Sequence, residues 1–279
     1  MMNYIETKSE EKGNRIKLFY EDYGKGQPVI LIHGWPLSHQ MWEYQVEKIV
    51  DAGFRCITYD RRGFGASDKP WEGYDYDTLA SDLNDVINFL DLSNVTIVGF
   101  SMGGGEVARF IGNYGTQKLN KAALISAVPP FMLKTDDNPE GLEKDVFEGF
   151  KEGIRKDRAG FLAGFGDNFY NFSKNKDRIS ESQKHLDWSI ACRGSAKATL
   201  DCVDSFGLTD FREDLKKFDV PTLIVHGDAD EVVPIDIAGK KSKELIKNNT
   251  FEVIKGAPHG LMVTHKKELN EILLRFLKS

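Results

Sequence analysis

The sequence predicts an α/β fold, a mostly parallel central sheet flanked by helices and carrying a helical cap insertion. Three observations predict it. Short apolar runs recur, each closed by a turn or helix-start signal. Segments with helical periodicity lie between most of them. One interval of about 90 residues holds aromatics, glycines and charges but no buried-strand run. Continuous apolar runs rich in β-branched residues suit strands buried on both faces, as in a parallel sheet. Their alternation with helices calls for crossover connections.

The runs in order are Val29–Ile32 before His33-Gly34, Arg55–Tyr59 before Asp60, Val95–Val98 before Gly99 and Ala123–Ile125 before Ser126. Two more come late, Thr222–Val225 before His226-Gly227 and Phe251–Ile254 before Lys255-Gly256. Over residues 76–90, Leu79, Leu83, Val86, Ile87 and Leu90 recur at spacings of 3 and 4 and share one helical face. The interval from Pro129 to about Asp219 breaks the rhythm with Phe147, Phe150, Phe161, Phe165, Phe169, Tyr170, Phe172 and Trp188. A structureless loop of that length is out of place in a compact domain, so a mainly helical cap over the C-terminal strand ends is expected. Residues 1–128 and 220–279 then form the core and 129–219 the cap. No internal repeat or low-complexity tract is present.

Composition narrows the class. The 279 residues carry 37 Lys plus Arg against 43 Asp plus Glu, a net charge of −6, with 41 % hydrophobic and 29 % charged residues. Disordered and fibrous classes are excluded. Nucleic acid is not an expected partner, because a net acidic chain lacks the overall basic footprint that binds phosphates. The three cysteines, Cys56, Cys192 and Cys202, show no CxxC pair or Cys/His ligand spacing, so neither structural zinc nor a disulfide framework is expected. Met1 to Asp22 is studded with charge and has no apolar run suited to secretion. No membrane-length apolar run occurs anywhere, so a soluble cytoplasmic protein is the expectation.

The strongest local signal runs from Val95 to Phe110. A buried-strand pattern leads into Gly99-Phe100-Ser101-Met102-Gly103, then into a helical stretch through Glu106, Val107, Arg109 and Phe110. In Gly-x-Ser-x-Gly, a tight strand-to-helix turn pushes the central side chain outward, and small residues are needed where backbone segments pack closely. Ser101 would stand at a helix N-terminus, where free N–H groups favour developing negative charge. The plain alternative is a glycine-rich turn with an incidental serine. Gly103-Gly104-Gly105-Glu106-Val107-Ala108 also matches G-x-G-x-x-A, a dinucleotide fingerprint. Against that, its first glycine lies four residues past the strand, and no Asp or Glu occurs between Glu106 and Asp136 to meet a ribose.

A serine hydroxyl needs a base, and the base an orienting acid. Of six histidines, His33 and His226 each end a strand run as His-Gly, while His39, His185 and His265 lie in helical or loop sequence. His259 lies in the loop after the last strand run, within reach of a serine across the top of a parallel sheet. Beyond the penultimate strand stand Asp228, Asp230 and Glu231. Ser101, Asp230, His259 is the chain order of the Ser…Asp/Glu…His arrangement. Asp228 and Glu231 are rivals for the acid, although Asp228 is also placed to bind turn backbone. Acyl transfer further needs two N–H donors at the developing oxyanion. Met102 offers one; Trp35, in the loop after the first run, offers the other, since Pro36 has no N–H. The alternative is that His33-Gly34 makes a turn and Trp35 fills core.

With these residues in view, the chain resembles the α/β-hydrolase superfamily over nearly its whole length. Within it, the chain is similar to the cofactor-free haloperoxidase (perhydrolase) and aryl esterase family. The resemblance is carried by His33-Gly34-Trp35-Pro36, by Tyr59-Asp60-Arg61-Arg62-Gly63-Phe64-Gly65-Ala66-Ser67, by the segment 99–106, by the segment 226–234 and by Ala257-Pro258-His259-Gly260. The family pattern HG-x-x-D-x-x-V-P implies Asp230 as the acid. The resemblance also implies Ser101 as nucleophile, His259 as base, and Trp35 and Met102 as oxyanion donors.

The implied chemistry is acyl transfer from a small carboxylic ester, or an acid at low pH, through Ser101. Water then gives hydrolysis, and hydrogen peroxide gives a peracid able to oxidise halide in solution. No cofactor or metal is needed, and no haem or metal ligand pattern is visible. A residue before proline is pushed toward extended backbone, so Pro36 is expected to aim the Trp35 carbonyl at the acyl carbon, where it can accept a hydrogen bond from peroxide. The alternative is a proline that stiffens a loop. Phe165, Phe169, Trp188 and Val233 are candidate pocket residues, although aromatics in a helical cap also serve packing. Haloalkane dehalogenases and many epoxide hydrolases place Asp at the nucleophile position, so Ser101 argues against both. Serine-dependent C–C bond hydrolases and lactonases share the triad. A ligand receptor on this scaffold would show a damaged triad, whereas all three residues are present. Homo-oligomers are compatible with the sequence.

Overall fold

The computed structural model describes residues 3–279. It opens on a hairpin absent from the sequence expectations, β1 (Tyr4–Glu11) and β2 (Asn14–Tyr23). Each strand sends only a few residues inward, Ile5 and Thr7 from β1, Ile16 and Leu18 from β2, between charged outward neighbours. Such alternation marks a half-exposed antiparallel strand, not the continuous apolar run of a parallel one. Lys12 and Gly13, with φ of 51° and 77°, make the two-residue turn.

The six apolar runs form β3 (Pro28–Ile32), β4 (Arg55–Tyr59), β5 (Val95–Phe100), β6 (Leu119–Ile125), β7 (Thr222–Gly227) and β8 (Asn249–Ile254). They lie in one sheet of order β1-β2-β4-β3-β5-β6-β7-β8. The pairs from β4 to β8 are parallel, and β2 joins β1 and β4 antiparallel. Every residue of β5 and β7 is buried, as their composition requires.

The core helices are α1 (Glu43–Asp51), α2 (Tyr76–Phe89) and α3 (Met102–Tyr114). In α2, Asp75 caps the first turn by accepting from Thr78 N at 2.9 Å, and the stripe Leu79, Leu83, Val86, Ile87 is buried. Between β6 and β7 the chain is helical, with α4 (Lys144–Phe169), α5 (Glu181–Cys192), α6 (Ala196–Leu208) and α7 (Arg212–Leu215). Helix α4 is broken at Asp157 (φ −158°, ψ 91°), so its halves point their faces differently. After β7 come α8 (Gly239–Leu245), α9 (Leu261–Thr264) and α10 (Lys266–Lys278). Lys121, buried on β6, donates to the Phe276 and Ser279 carbonyls at 2.7 and 2.6 Å and so ties the end of α10 to the sheet. Among the described residues no helix is long and apolar enough to cross a membrane.

The segment after β4 is anchored by buried charge. Arg61 pairs with Glu106 of α3, which also accepts from Tyr59 Oη at 2.6 Å, and Arg61 Nη2 donates to the His33 carbonyl at 2.6 Å. Arg62 makes two 2.6 Å bonds to Asp82 of α2. Removing one partner of such a buried pair costs roughly 3–5 kcal/mol, because the other charge is left without compensation. Burial and the adjacent Arg61 charge push His33 down to about 3, so it is neutral. Its Nε2 therefore accepts from Arg61 N at 2.9 Å while Nδ1–H donates to the Gly34 carbonyl at 2.9 Å, and the loop carrying Trp35 is fixed from below.

Candidate active site

Ser101 occupies the turn between β5 and α3 with φ 52° and ψ −119°, a region that L residues rarely adopt. The turn closes this tightly because Gly99 and Gly103 have no side chains. A Cβ on Gly99 would overlap the Gly103 carbonyl, and one on Gly103 would strike the Ile32 carbonyl of the neighbouring strand. The strained turn is held by Ser101 N donating to the Ile125 carbonyl at 3.0 Å and Val128 N donating to the Ser101 carbonyl at 3.2 Å. The side chain stands over the start of α3, whose first N–H groups have no intrahelical acceptor.

Two loops at the same C-terminal end of the parallel strands bring partners to it. His259, in the loop between β8 and α9, has Nε2 at 2.9 Å from Ser101 Oγ. Its Nδ1 lies 2.7 Å from Asp230 Oδ2, in the loop after β7. Because a carboxylate can only accept, Nδ1 carries the proton and Nε2 is free to accept from the serine hydroxyl. Asp230 is itself fixed, since Oδ1 accepts from Val232 N at 3.0 Å and Val233 N at 2.8 Å. His226 Nε2 donates to the Val233 carbonyl at 2.8 Å and lies 3.4 Å from Asp230 Oδ2. Burial acts to raise the Asp230 carboxyl. Attraction to the adjacent His259 and His226 rings, with the hydrogen bond from His259, outweighs it and holds Asp230 well below the usual carboxylate range. The rival acids are engaged elsewhere. Asp228 accepts from Gly256 N at 2.5 Å, and Glu231 pairs with Lys174 at 3.0 Å.

Ser101 opens on a cavity of about 280 Å3. Trp35 and Val233 line it, as does Phe165 from α4. The Trp35 indole is pinned by donating to the Thr199 carbonyl at 3.0 Å and by rings on three sides, Phe150, Phe165 and Phe206. Met102 opens α3, and its carbonyl accepts from Tyr76 Oη at 3.0 Å. The Trp35–Pro36 peptide is cis, and Pro36 lines a smaller adjoining crevice. Phe169 and Trp188 lie on that crevice too, not on the Ser101 cavity. Phe169 is close by all the same, its ring edge-on to His259 with centroids 5.1 Å apart. Trp188 is drawn off by its indole N–H, which donates to the Ala159 carbonyl at 2.9 Å beyond the break in α4. The remaining wall includes Phe147, Phe150, Phe206, Met132, Leu142 and Asn168, none singled out from sequence as pocket residues. Phe147 and Phe150 sit three apart on a helix and could have been grouped; the break at Asp157 hides their relation to Phe165.

Burial pushes the Cys56 and Cys202 thiols up to about 12, so neither offers a ready thiolate. Among the described residues no group of three or more His, Cys, Asp or Glu side chains is arranged to hold a metal ion.

A strand–serine–helix turn is thus joined by hydrogen bonds to a histidine and an acid from the loops after the two last strands. The family model described as alpha/beta hydrolase fold matches residues 27–266. The chain belongs to the α/β-hydrolase fold family. Among its solved members, a bromoperoxidase from Bacillus anthracis is 51 % identical, with a TM-score of 0.96 and both chains fully covered. A non-heme chloroperoxidase of Kitasatospora aureofaciens is 46 % identical over 94 % of this chain and 96 % of its own. A bifunctional esterase/perhydrolase of Acinetobacter calcoaceticus is 41 % identical with both chains fully covered.

Proposed function

We propose that this α/β hydrolase is a serine esterase of small carboxylic esters, with aryl or short acyl groups, that also makes peracids when hydrogen peroxide replaces water. The observation that carries the reading is the hydrogen-bonded chain Ser101–His259–Asp230 opening on a small, aromatic-walled cavity. Residues 129–219 act as a cap that supplies most of that wall, and residues 1–128 with 220–279 form the core that aligns the triad.

In the first step Ser101 Oγ attacks the ester carbonyl while His259 Nε2 takes its proton. Asp230 holds the imidazole in the tautomer this requires and stabilises the imidazolium. The oxyanion is held by the backbone N–H groups of Trp35 and Met102, the latter aided by the N-terminal field of α3. His259 then protonates the departing alcohol, leaving Ser101 acylated. In the second step His259 takes a proton from water or peroxide, which attacks the acyl carbon and releases acid or peracid with Ser101 restored. A peracid oxidises bromide or chloride in solution, so halide needs no site on the protein. The names of the relatives, chloroperoxidase and esterase/perhydrolase, support this pairing of activities. At about 280 Å3 the cavity lies just below the lower end of ordinary ligand pockets and suits one small ester.

Pro36 tunes the choice between water and peroxide by restricting Trp35 so that its carbonyl accepts a hydrogen bond from peroxide at the acyl carbon. The test is a side-by-side assay of short aryl ester hydrolysis and of bromide-dependent halogenation in acetate with peroxide, for the parent and Pro36→Leu. Both activities are expected in the parent. The perhydrolysis-to-hydrolysis ratio is expected to fall about fivefold in the variant, the worth of one neutral hydrogen bond. An unchanged ratio contradicts the role of Pro36, and a parent without ester turnover contradicts the function.

A further inference from the structure

We propose that three consecutive cap residues, Phe169, Tyr170 and Asn171, form a positioning clip that holds the acid loop and the base loop in register from above. It rests on the proposed roles of Ser101, Asp230 and His259. The acid and base loops leave different strands and are joined to each other near their bases, by Gly256 N donating to Asp228 at 2.5 Å and Ala229 N donating to the Ala257 carbonyl at 3.1 Å, but neither bond reaches Asp230 or His259. The end of α4 touches both. The Phe169 carbonyl accepts from Gly260 N at 2.7 Å, immediately after His259. Asn171 Nδ2 donates to the Ala229 carbonyl at 2.8 Å, immediately before Asp230.

Between these two bonds the Tyr170 ring lies flush on the Gly260 backbone, so close that a Cβ there would overlap it. The Phe169 ring packs edge-on against the His259 imidazole, with an interplanar angle of 87°. The clip is itself braced. The buried Tyr170 hydroxyl donates to Asp187 of α5 at 2.5 Å, and Asn175 Nδ2 donates to the Tyr170 carbonyl at 2.9 Å. Asn171 reaches back to the acid loop because its backbone is left-handed (φ 41°, ψ 52°), a conformation asparagine tolerates better than most residues. The cap is therefore part of the device that orients His259 as well as a wall for substrate.

Asn171→Gly keeps the left-handed backbone and removes the amide donor. Tyr170→Phe removes one oxygen and leaves the ring. Two quantities are read in each: kcat and KM for an aryl ester, and the low-field proton resonance of His259 Nδ1–H in substrate-free enzyme, which reports its bond to Asp230. In Asn171→Gly, kcat is expected to fall by about 10- to 100-fold with KM within about twofold, as for a sub-ångström misplacement of a catalytic group. The resonance shifts or broadens. Tyr170→Phe moves both quantities the same way by a smaller factor. Arg158→Met, which breaks bonds from Arg158 to the Gly194 and Cys192 carbonyls within the cap, lowers Tm and leaves both unmoved.

Parental kcat and resonance in either folded clip variant overturn the clip, as does an equal displacement in Arg158→Met. The resonance is read without turnover. A failure of the ester chemistry therefore leaves it measurable, and a failure of the clip leaves parental ester turnover intact.

Discussion

Ser101→Ala is expected to lower kcat/KM for p-nitrophenyl acetate by about a million-fold, to the residual level that binding and oxyanion stabilisation alone provide. Bromide-dependent halogenation is expected to fall with it, because the proposed mechanism routes hydrolysis and peracid formation through one acyl-enzyme. The size of the effect follows from the site. Ser101 carries the one hydroxyl among the side chains lining the cavity. It is the group hydrogen-bonded to His259 Nε2. The buried thiols are held protonated and offer no substitute nucleophile. Alanine fits the same turn, so circular dichroism and Tm should stay near the parent's, and the loss is one of chemistry rather than folding. Full halogenation by Ser101→Ala would reject the acyl-enzyme route.

Asp230→Asn is expected to lower kcat by about ten-thousand-fold with the fold retained, measured by the same ester assay across pH. The Val232 and Val233 amides select the oxygen of the new side chain, which turns its NH2 toward His259 Nδ1. The imidazole then keeps its proton on Nε2 and cannot accept from Ser101. In the parent, Asp230 is held below its ordinary value of about 3.9. It therefore stays ionised and adds no limb to the activity profile between about pH 5 and 8. The sign for stability follows. A depressed carboxyl contributes stability that is fully present above its unfolded value and is lost as pH falls through the folded one. The Asp230 contribution thus disappears only under strongly acidic conditions. A parental kcat in Asp230→Asn would remove the acid from the mechanism.

The parallel strands were legible because burial on both faces writes a continuous apolar run, and β4 keeps the bounds its run suggests, Arg55 to Tyr59. The hairpin of β1 and β2 was not, because a strand with one wet face shows only Ile5 and Thr7, or Ile16 and Leu18, among charges. At the site, glycine spacing around Ser101 is readable because backbone contact leaves room for nothing larger. The acid is less so: Asp228, Asp230 and Glu231 crowd four positions, and only the direction of the turn separates them. Asp228 closes on Gly256, Glu231 reaches Lys174, and Asp230 alone faces His259. The pocket was the least legible. The break of α4 at Asp157 rotates the face bearing Phe165 relative to Phe147 and Phe150, and no periodicity carries across it. The contacts of Phe169 and Asn171 with the two catalytic loops join positions some 60 to 90 residues apart, which no local pattern encodes.

The most direct measurement of Ser101 as the nucleophile is intact-protein mass after treatment with a serine-directed aryl phosphonate, followed by peptide mapping. One adduct per chain is expected, on Ser101, forming in step with the loss of both ester hydrolysis and halogenation. An unlabelled chain that still turns over ester, or an adduct on any other residue accompanying inactivation, would contradict it.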